Sequence, residues 1–445
     1  MTLERLFQGR NSVLYNFDSG SVLYEKLSNT LHAGKRRKLE DLQKKIEEIN
    51  YRPEFESETL KGKVGEGIEN LVFNVTERCN FNCGYCIFSG NYENERIENN
   101  LEMDISTAKR AIDLLVLRTR NPALISFYGG EPLNNIDLIN EIIKYAKENY
   151  SNKVYAFSMT SNFYNADRYL REIIENEIHI NISLDGPEEI HNKNRKLKDG
   201  RPTYDKIMKN LGKFEEVAPG YVKKHFRYNI TCASSEDLPR IIKFFQKNKQ
   251  FTGARISMVE QKGFKDRVDK RKDNGYVWIL ANDYVNSILS GENPGILKGF
   301  FDQPLKRIAF RREEIMPERL MLEGSCYPGN RKLFVDTNGT FYICERFGRR
   351  IPIGDAENGI NQKLIDNVIE NFREIRNELC TDCWAQRICT PCIQSSKDSG
   401  KDISKKGLFQ TCNSNKSQIL VALTQYVSLS EKKEKLENYI KSIKP

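Results

Sequence analysis

Leu71-Val-Phe-Asn-Val75-Thr-Glu-Arg-Cys79-Asn-Phe-Asn-Cys83-Gly-Tyr-Cys86 decides the fold. Apart from Asn74, its first five residues are apolar and rich in β-branched or aromatic types, so they read as a buried strand. Three cysteines then fall within eight residues, on the loop leaving that strand's C-terminal end. Thiolates spaced so closely can wrap one face of a metal site. A structural zinc ion wants four ligands. No His lies between His32 and His179, and Cys232 is remote in sequence. Three cysteines without a fourth suit an iron–sulfur cube whose remaining iron stays open to a substrate or cofactor.

Outward from this stretch, strand and helix patterns alternate from 69 to 260. Strand-like runs recur at Leu71–Val75, Ala123–Tyr128, Val154–Phe157, Ile178–Ser183, Phe226–Ile230 and Arg255–Val259. Amphipathic helices lie between them, with Ala108, Ala111, Ile112 and Leu115 keeping the i, i+3, i+4, i+7 spacing. Six such units imply a parallel sheet with outer helices: a barrel, a partial barrel or a doubly wound sheet. Polar motifs sit at successive strand ends. Phe127-Tyr128-Gly129-Gly130-Glu131-Pro132 ends the second, Thr160-Ser161-Asn162 follows the third, and Ser183-Leu-Asp185-Gly186-Pro187 ends the fourth, with Arg195 downstream. Singly each reads as a turn. Together they share the face on which β/α barrels carry their active sites.

The C-x3-C-x2-C spacing, with Tyr85 before the last cysteine, resembles the signature of the radical S-adenosylmethionine (SAM) enzymes. The resemblance implies an α/β fold with a partial (β/α)6 TIM-like barrel over 63–260. It also implies a [4Fe–4S] cluster on Cys79, Cys83 and Cys86, whose open iron binds the amino and carboxylate groups of SAM and whose electron releases a 5′-deoxyadenosyl radical. Gly129, Gly130 and Glu131 match the family's GGE motif, with Glu131 offered to the SAM ammonium. Asn162 falls where related enzymes place polar contacts to the cofactor. By the same resemblance Ser183 and Asp185 hold ribose or methionine groups, and Arg195 pairs the methionyl carboxylate, a bidentate task suited to Arg.

A second group follows a 261–325 connector: Cys326, then Gly339-Thr-Phe-Tyr-Ile-Cys344, then Cys380-x2-Cys383-x5-Cys389-x2-Cys392, and Cys412. From the residues alone this is two metal sites sharing seven ligands, and paired CxxC ordinarily suggests zinc ribbons. Beside a radical-SAM pattern the array resembles the SPASM extension, with one departure, x2 rather than x3 before Cys392. That resemblance implies a cysteine-rich C-terminal SPASM domain over 326–415 with two auxiliary [4Fe–4S] clusters, three clusters in all. Cys380, Cys383, Cys389 and Cys412 would hold the distal one, and Cys326, Cys344 and Cys392 the proximal one. The proximal cluster is one thiolate short, so it has an open iron or is closed by Cys232 or another ligand. Glu345, directly after Cys344, stands where sulfatase-maturing relatives carry an Asp base.

Residues 1–62 read as a small α+β unit. Strands at Ser12–Phe17 and Ser21–Leu27 flank the turn Asp18-Ser19-Gly20, and a charged helix covers Arg36–Ile49. Such modules ahead of radical-SAM barrels resemble the precursor-recognition elements of ribosomal-peptide (RiPP) maturases, which bind a leader peptide as an added strand. A structural cap on the barrel is the alternative. A 416–445 helix closes the chain.

The composition agrees with a soluble globular protein. Of 445 residues 29% are charged and 39% hydrophobic, and no run approaches a membrane span. Eleven cysteines, an odd number and bunched, argue for metal ligation over disulfides, and no signal-peptide core is read, so a cytoplasmic location is expected. Net charge is +9, and residues 191–225 hold ten Lys/Arg against four Asp/Glu. The functional expectation is a RiPP maturase of the thioether-forming sactipeptide/ranthipeptide type. Its partners would be a precursor peptide with a leader and an electron donor such as a flavodoxin or ferredoxin, with no membrane and no nucleic acid. The alternatives are C–C cross-linking, sulfatase-type Cys or Ser oxidation and, remotely, a zinc-ribbon nucleic-acid-binding protein.

Overall fold

The computed structural model describes residues 4–17, 20–57, 67–92, 97–259, 276–322, 328–347, 349–398 and 403–443. Cys326, and Asp18 and Ser19 of the expected turn, lie outside the described residues. The chain forms two compact units. One comprises Met1–Lys61, Gly275–Ser325 and Ile369–Pro445, the other Gly62–Asn274 and Cys326–Val368. The 326–415 segment, continuous in sequence, is therefore divided between them.

In the first unit, strands β1 (Glu4–Gln8), β2 (Ser12–Phe17), β3 (Gly20–Glu25) and β4 (Thr30–Gly34) form an antiparallel sheet in sequential order. The sequence signals only the middle two, because β1 and β4 are edge strands with weak apolar alternation. Alternation in β2 and β3 serves two faces. Leu14 and Leu23 pack on Leu39 and Ile46 of the helix Arg36–Glu48. Val13, Tyr15, Val22 and Tyr24 face the other way, into a core with Trp384, Ala385, Ile388, Ile419, Leu420 and Leu423. The N-terminal residues thus share their core with the C-terminal third instead of standing alone. The closing helix is two helices, Lys405–Ser430 and Lys433–Ser442, and the first starts well before the expected 416, where Ser404 Oγ accepts the Gly407 N–H at 3.0 Å.

Among the described residues the second unit is built on a sheet of ten strands. β5 (Leu71–Thr76), β6 (Ala123–Gly129), β7 (Tyr155–Ser161), β8 (His179–Ser183), β9 (Phe226–Cys232) and β10 (Arg255–Met258) are parallel and pair in sequence order. Order without reversal is that of a barrel wall and not of a doubly wound sheet. The wall stays open because the outer edge of β5 pairs with β11 (Leu333–Val335), which continues into β12 (Thr340–Tyr342), β13 (Gly354–Asp355) and β14 (Gly359–Ile360). β7 runs four residues past the expected Phe157. Its polar tail looks like a loop in sequence, yet Ser158 Oγ bonds Ser126 Oγ on β6 at 2.6 Å. Among the described residues no helix is long and apolar enough to cross a membrane.

Candidate active site and cysteine centres

The three-cysteine loop leaves β5 at Thr76 and is clamped from outside. Asn82 N donates to Lys196 O at 2.8 Å, Gly84 N to Asn194 O at 3.3 Å, and Lys198 N to Asn80 O at 3.3 Å. Glu98 Oε1 accepts the Cys79 N–H at 3.0 Å and the Lys198 ammonium at 2.5 Å. Two sulfurs receive backbone N–H groups, Phe81 N on Cys79 Sγ and Phe88 N on Cys86 Sγ, both at 3.4 Å. Burial pushes the Cys83 thiol up to about 12 and raises Cys79 and Cys86, the reverse of what a bound metal charge would do.

Gly129 and Gly130 close β6 against the start of this loop. A Cβ on Gly129 would strike the Thr76 carbonyl, and one on Gly130 the Arg78 carbonyl. Their backbones bond there instead: Gly130 N donates to Thr76 O at 2.9 Å and Glu131 N to Arg78 O at 2.8 Å. Within the chain, then, what these glycines accommodate is the strand carrying the cysteines. Glu131 is buried. Its carboxylate accepts from Ser161 Oγ (2.7 Å), Asn162 N (2.6 Å) and Leu133 N (3.1 Å), which ties the ends of β6 and β7 together. Burial still raises its carboxyl to about 7, against those three hydrogen bonds. Asn162 in turn donates to Asn80 Oδ1 at 2.7 Å, reaching the cysteine loop from β7.

Ser183 is the buried last residue of β8, opposite Asn229 of β9. Asp185 beyond it is fully buried and saturated: Oδ1 accepts Thr231 N at 3.0 Å, and Oδ2 accepts Arg195 Nε at 3.0 Å and the Tyr85 hydroxyl. The Arg195 guanidinium lies 5.3 Å from the Tyr85 ring centroid, and its charge acts on the Cys83 thiol. Tyr85, Asp185 and Arg195 therefore meet, and Arg195 spends its Nε on Asp185. Behind them stands His191, which sequence reading passed over. Its Nδ1 accepts Asp185 N at 3.3 Å. Its Nε2 donates to Thr203 Oγ1 at 3.0 Å, since that hydroxyl gives its own proton to Arg195 O at 2.8 Å. Burial, then the Arg195 charge, lowers its pKa to about 3, so the ring is neutral.

In the other unit, Cys380, Cys383, Cys389 and Cys412 lie near enough to influence one another electrostatically. The polypeptide between the first three is turned tightly, with Cys383 N on Cys380 O at 3.0 Å and Cys389 N on Ala385 O at 2.8 Å. Cys412 joins them from the helix Lys405–Ser430. Arg376, one helical turn before Cys380, is buried beside them. That i, i+4 spacing was the available signal, and sequence reading missed it. Cys392 precedes a short helical turn, Ile393–Ser396. Cys344, in the barrel unit, follows β12. Next to it Glu345 accepts the Lys332 ammonium on Oε1 at 2.6 Å, while its buried Oε2 has no hydrogen-bond partner among the described residues. Cys232 is a core thiol at the end of β9 that donates to Ser234 O at 3.0 Å.

Both thiol sets fit an iron–sulfur cluster. Among the described residues no three His, Cys, Asp or Glu side chains converge on a single ion. The thiols nevertheless sense one another within each set, which accords with a group larger than an ion. Buried polar atoms without hydrogen-bond partners cluster beside them: Asn80 Nδ2 at the first set, Trp384 Nε1, Thr390 Oγ1 and two Arg376 nitrogens at the second.

Residues 73–245 match the Radical SAM superfamily. An uncharacterised protein of Methanocaldococcus jannaschii is 37% identical over 186 residues, 40% of this chain and 58% of that one. A cysteine-type anaerobic sulfatase-maturating enzyme of Clostridium perfringens is 23% identical over 377 residues, 81% of this chain and 97% of that one. Among solved structures, anSMEcpe with bound AdoMet aligns with a TM-score of 0.62 at 20% identity, covering 85% of this chain and 96% of its own. The same protein, also solved with bound AdoMet and Cp18Cys peptide, aligns at a TM-score of 0.61. These structural likenesses bear on the fold.

Proposed function

Because this chain is a radical SAM superfamily enzyme related to sulfatase-maturating and peptide-modifying enzymes, we propose that it matures a ribosomally made precursor peptide by cross-linking a Cys thiol to a carbon. Cys79, Cys83 and Cys86 would hold the SAM-binding [4Fe–4S] cluster. Cys380, Cys383, Cys389 and Cys412 would hold one auxiliary cluster, and Cys326 and Cys344 would contribute to a second. Bound together, SAM and its cluster supply hydrogen-atom abstraction. The chain's own residues do the rest. Tyr85, Asp185, Arg195 and neutral His191 form a rigid wall behind the three-cysteine loop, and Glu131 and Asn162 fix its floor.

The observation that carries the reading is Glu345. A part-buried carboxylate, held at one oxygen by Lys332 and, among the described residues, unpartnered at the other, stands directly after Cys344. Such a group would take a proton from a substrate thiol. Thioether formation removes one hydrogen atom from carbon, and from sulfur one proton and one electron. Glu345 accounts for the proton, and the auxiliary centres would accept the electron. β4, the regular edge of the N-terminal sheet, offers a leader peptide a strand to pair with, whereas β1 is irregular between Arg5 and Phe7. The reductant would be a flavodoxin or ferredoxin, and the setting cytoplasmic.

A second reading, oxidation of a peptidyl Cys or Ser, is favoured by the match along 97% of a sulfatase-maturating enzyme. Anaerobic incubation with SAM, a reductant and a Cys-containing peptide encoded beside this chain separates the two by mass. Loss of two hydrogens with a blocked thiol means a thioether, the same loss with a free thiol means a C–C link, and a thiol replaced by a carbonyl means oxidation. In the same assay Glu345→Gln should lower product formation by about 100-fold or more while SAM cleavage persists. Native product yield in that variant would remove Glu345 as the base.

A further inference from the structure

We infer that Arg376 is the counter-cation of the cluster held by Cys380, Cys383, Cys389 and Cys412, and that its guanidinium raises that cluster's reduction potential. The inference rests on the reading of those four cysteines as cluster ligands.

Arg376 is 1% exposed. Its guanidinium lies 4.0 Å from the Phe55 ring centroid and 6.0 Å from that of Phe372. These rings hold the group in place but bring no anion to it. Among the described residues no carboxylate lies within ion-pair distance. One long hydrogen bond reaches a carbonyl, Nη2 to Cys389 O at 3.4 Å, while Nε and Nη1 are buried with no partner. A buried charge left so is strongly disfavoured. The groups that can answer it are the thiols: Arg376 stands one helical turn before Cys380, its Nη2 reaches the Cys389 carbonyl, and its charge acts on Cys380, Cys389 and Cys412.

The surroundings point the same way. Trp384 Nε1 and Thr390 Oγ1, each adjacent in sequence to one of these cysteines, are further buried donors without acceptors. Lys26 is fully buried, with Nζ on Thr381 O at 3.1 Å, and Cys383 is among the charges that act on it. Arg307 lines a cavity of about 160 Å³ together with Cys389 and Thr390. A four-thiolate cube is net negative in both oxidation states and more so when reduced. A fixed buried cation beside the cube favours the reduced state, so the potential rises.

The test uses the full chain carrying Cys79→Ala, Cys83→Ala and Cys86→Ala, so that the remaining iron belongs to the C-terminal cysteines. If this variant holds no iron or sulfide, the ligand reading itself fails. Given iron, the cluster in question is the one whose EPR signal Cys412→Ala abolishes. We expect Arg376→Gln to move its midpoint in a potentiometric titration to a more negative value at unchanged iron content. An unchanged midpoint with full iron would overturn the inference. Should Arg376→Gln lose the iron, Arg376→Lys decides. Recovery of iron and of a near-native midpoint supports charge compensation, whereas equal loss in both variants assigns Arg376 to packing alone and sinks the idea.

Discussion

His191 makes the sequence's silence about a residue concrete. A histidine six positions after an Asp-Gly-Pro turn carries no motif, yet its two nitrogens connect Asp185 N with the hydroxyl that holds Arg195 O. Its folded pKa, about 3, lies below the unfolded value near 6.5. The unfolded chain therefore binds the proton more readily. The stability this group contributes is fully present above about pH 6.5 and is lost as pH falls toward 3. Anaerobic urea unfolding between pH 7 and pH 4 should show the wild-type protein losing up to about 1.4 kcal/mol per pH unit from this group. His191→Gln should flatten that acid limb while starting less stable at pH 7. Parallel curves for the two proteins would rule out the linkage. Glu131 is the converse case: its type and place were legible, but its use as a clamp on Ser161 and Asn162 was not, because those partners come from another strand end.

At the scale of elements, strand ends carry the site. The apolar runs of β5, β6, β8 and β9 stand out in the sequence since both faces of a parallel sheet are covered. The polar extension of β7 and the edge strands β1 and β4 do not, since neither alternation nor an apolar run marks them. The close approach of β6 to β5 turns a sequence motif into a geometric requirement. Gly130→Ala would drive a Cβ into the Arg78 carbonyl, displacing the residues that lead into Cys79. We expect this variant to remain folded and to lose most of the iron attributable to Cys79, Cys83 and Cys86. Iron and sulfide analysis against the triple-alanine variant checks it, and native iron content would show that the loop tolerates the shift.

The whole molecule is organised by cores that sequence order does not announce. The sheet formed by β1 to β4 covers Trp384, Ala385 and Ile388, in the segment between Cys383 and Cys389. Deleting residues 1–57 should therefore uncover that core and release iron bound by the C-terminal cysteines. An independent recognition module would instead leave iron content intact when removed. The truncated chain's iron-to-protein ratio distinguishes the two outcomes.

What the sequence determined by itself is chemical and local. Three cysteines after a strand, Gly-Gly-Glu after the next, Asp185 with Arg195, and the pairs Cys380–Cys383 and Cys389–Cys392 each lie within a short stretch of chain. Side chains a few residues apart have no choice but to stay close. Only the tertiary structure decided that the sheet runs in unreversed order and stays open at β5, that 326–368 and 369–445 belong to different units, and that Arg376 lies buried beside Phe55 and the Cys389 carbonyl. Those facts depend on which apolar face finds which, a choice made between residues hundreds of positions apart, where the energy of burial depends on area and fit and leaves no mark in the local pattern.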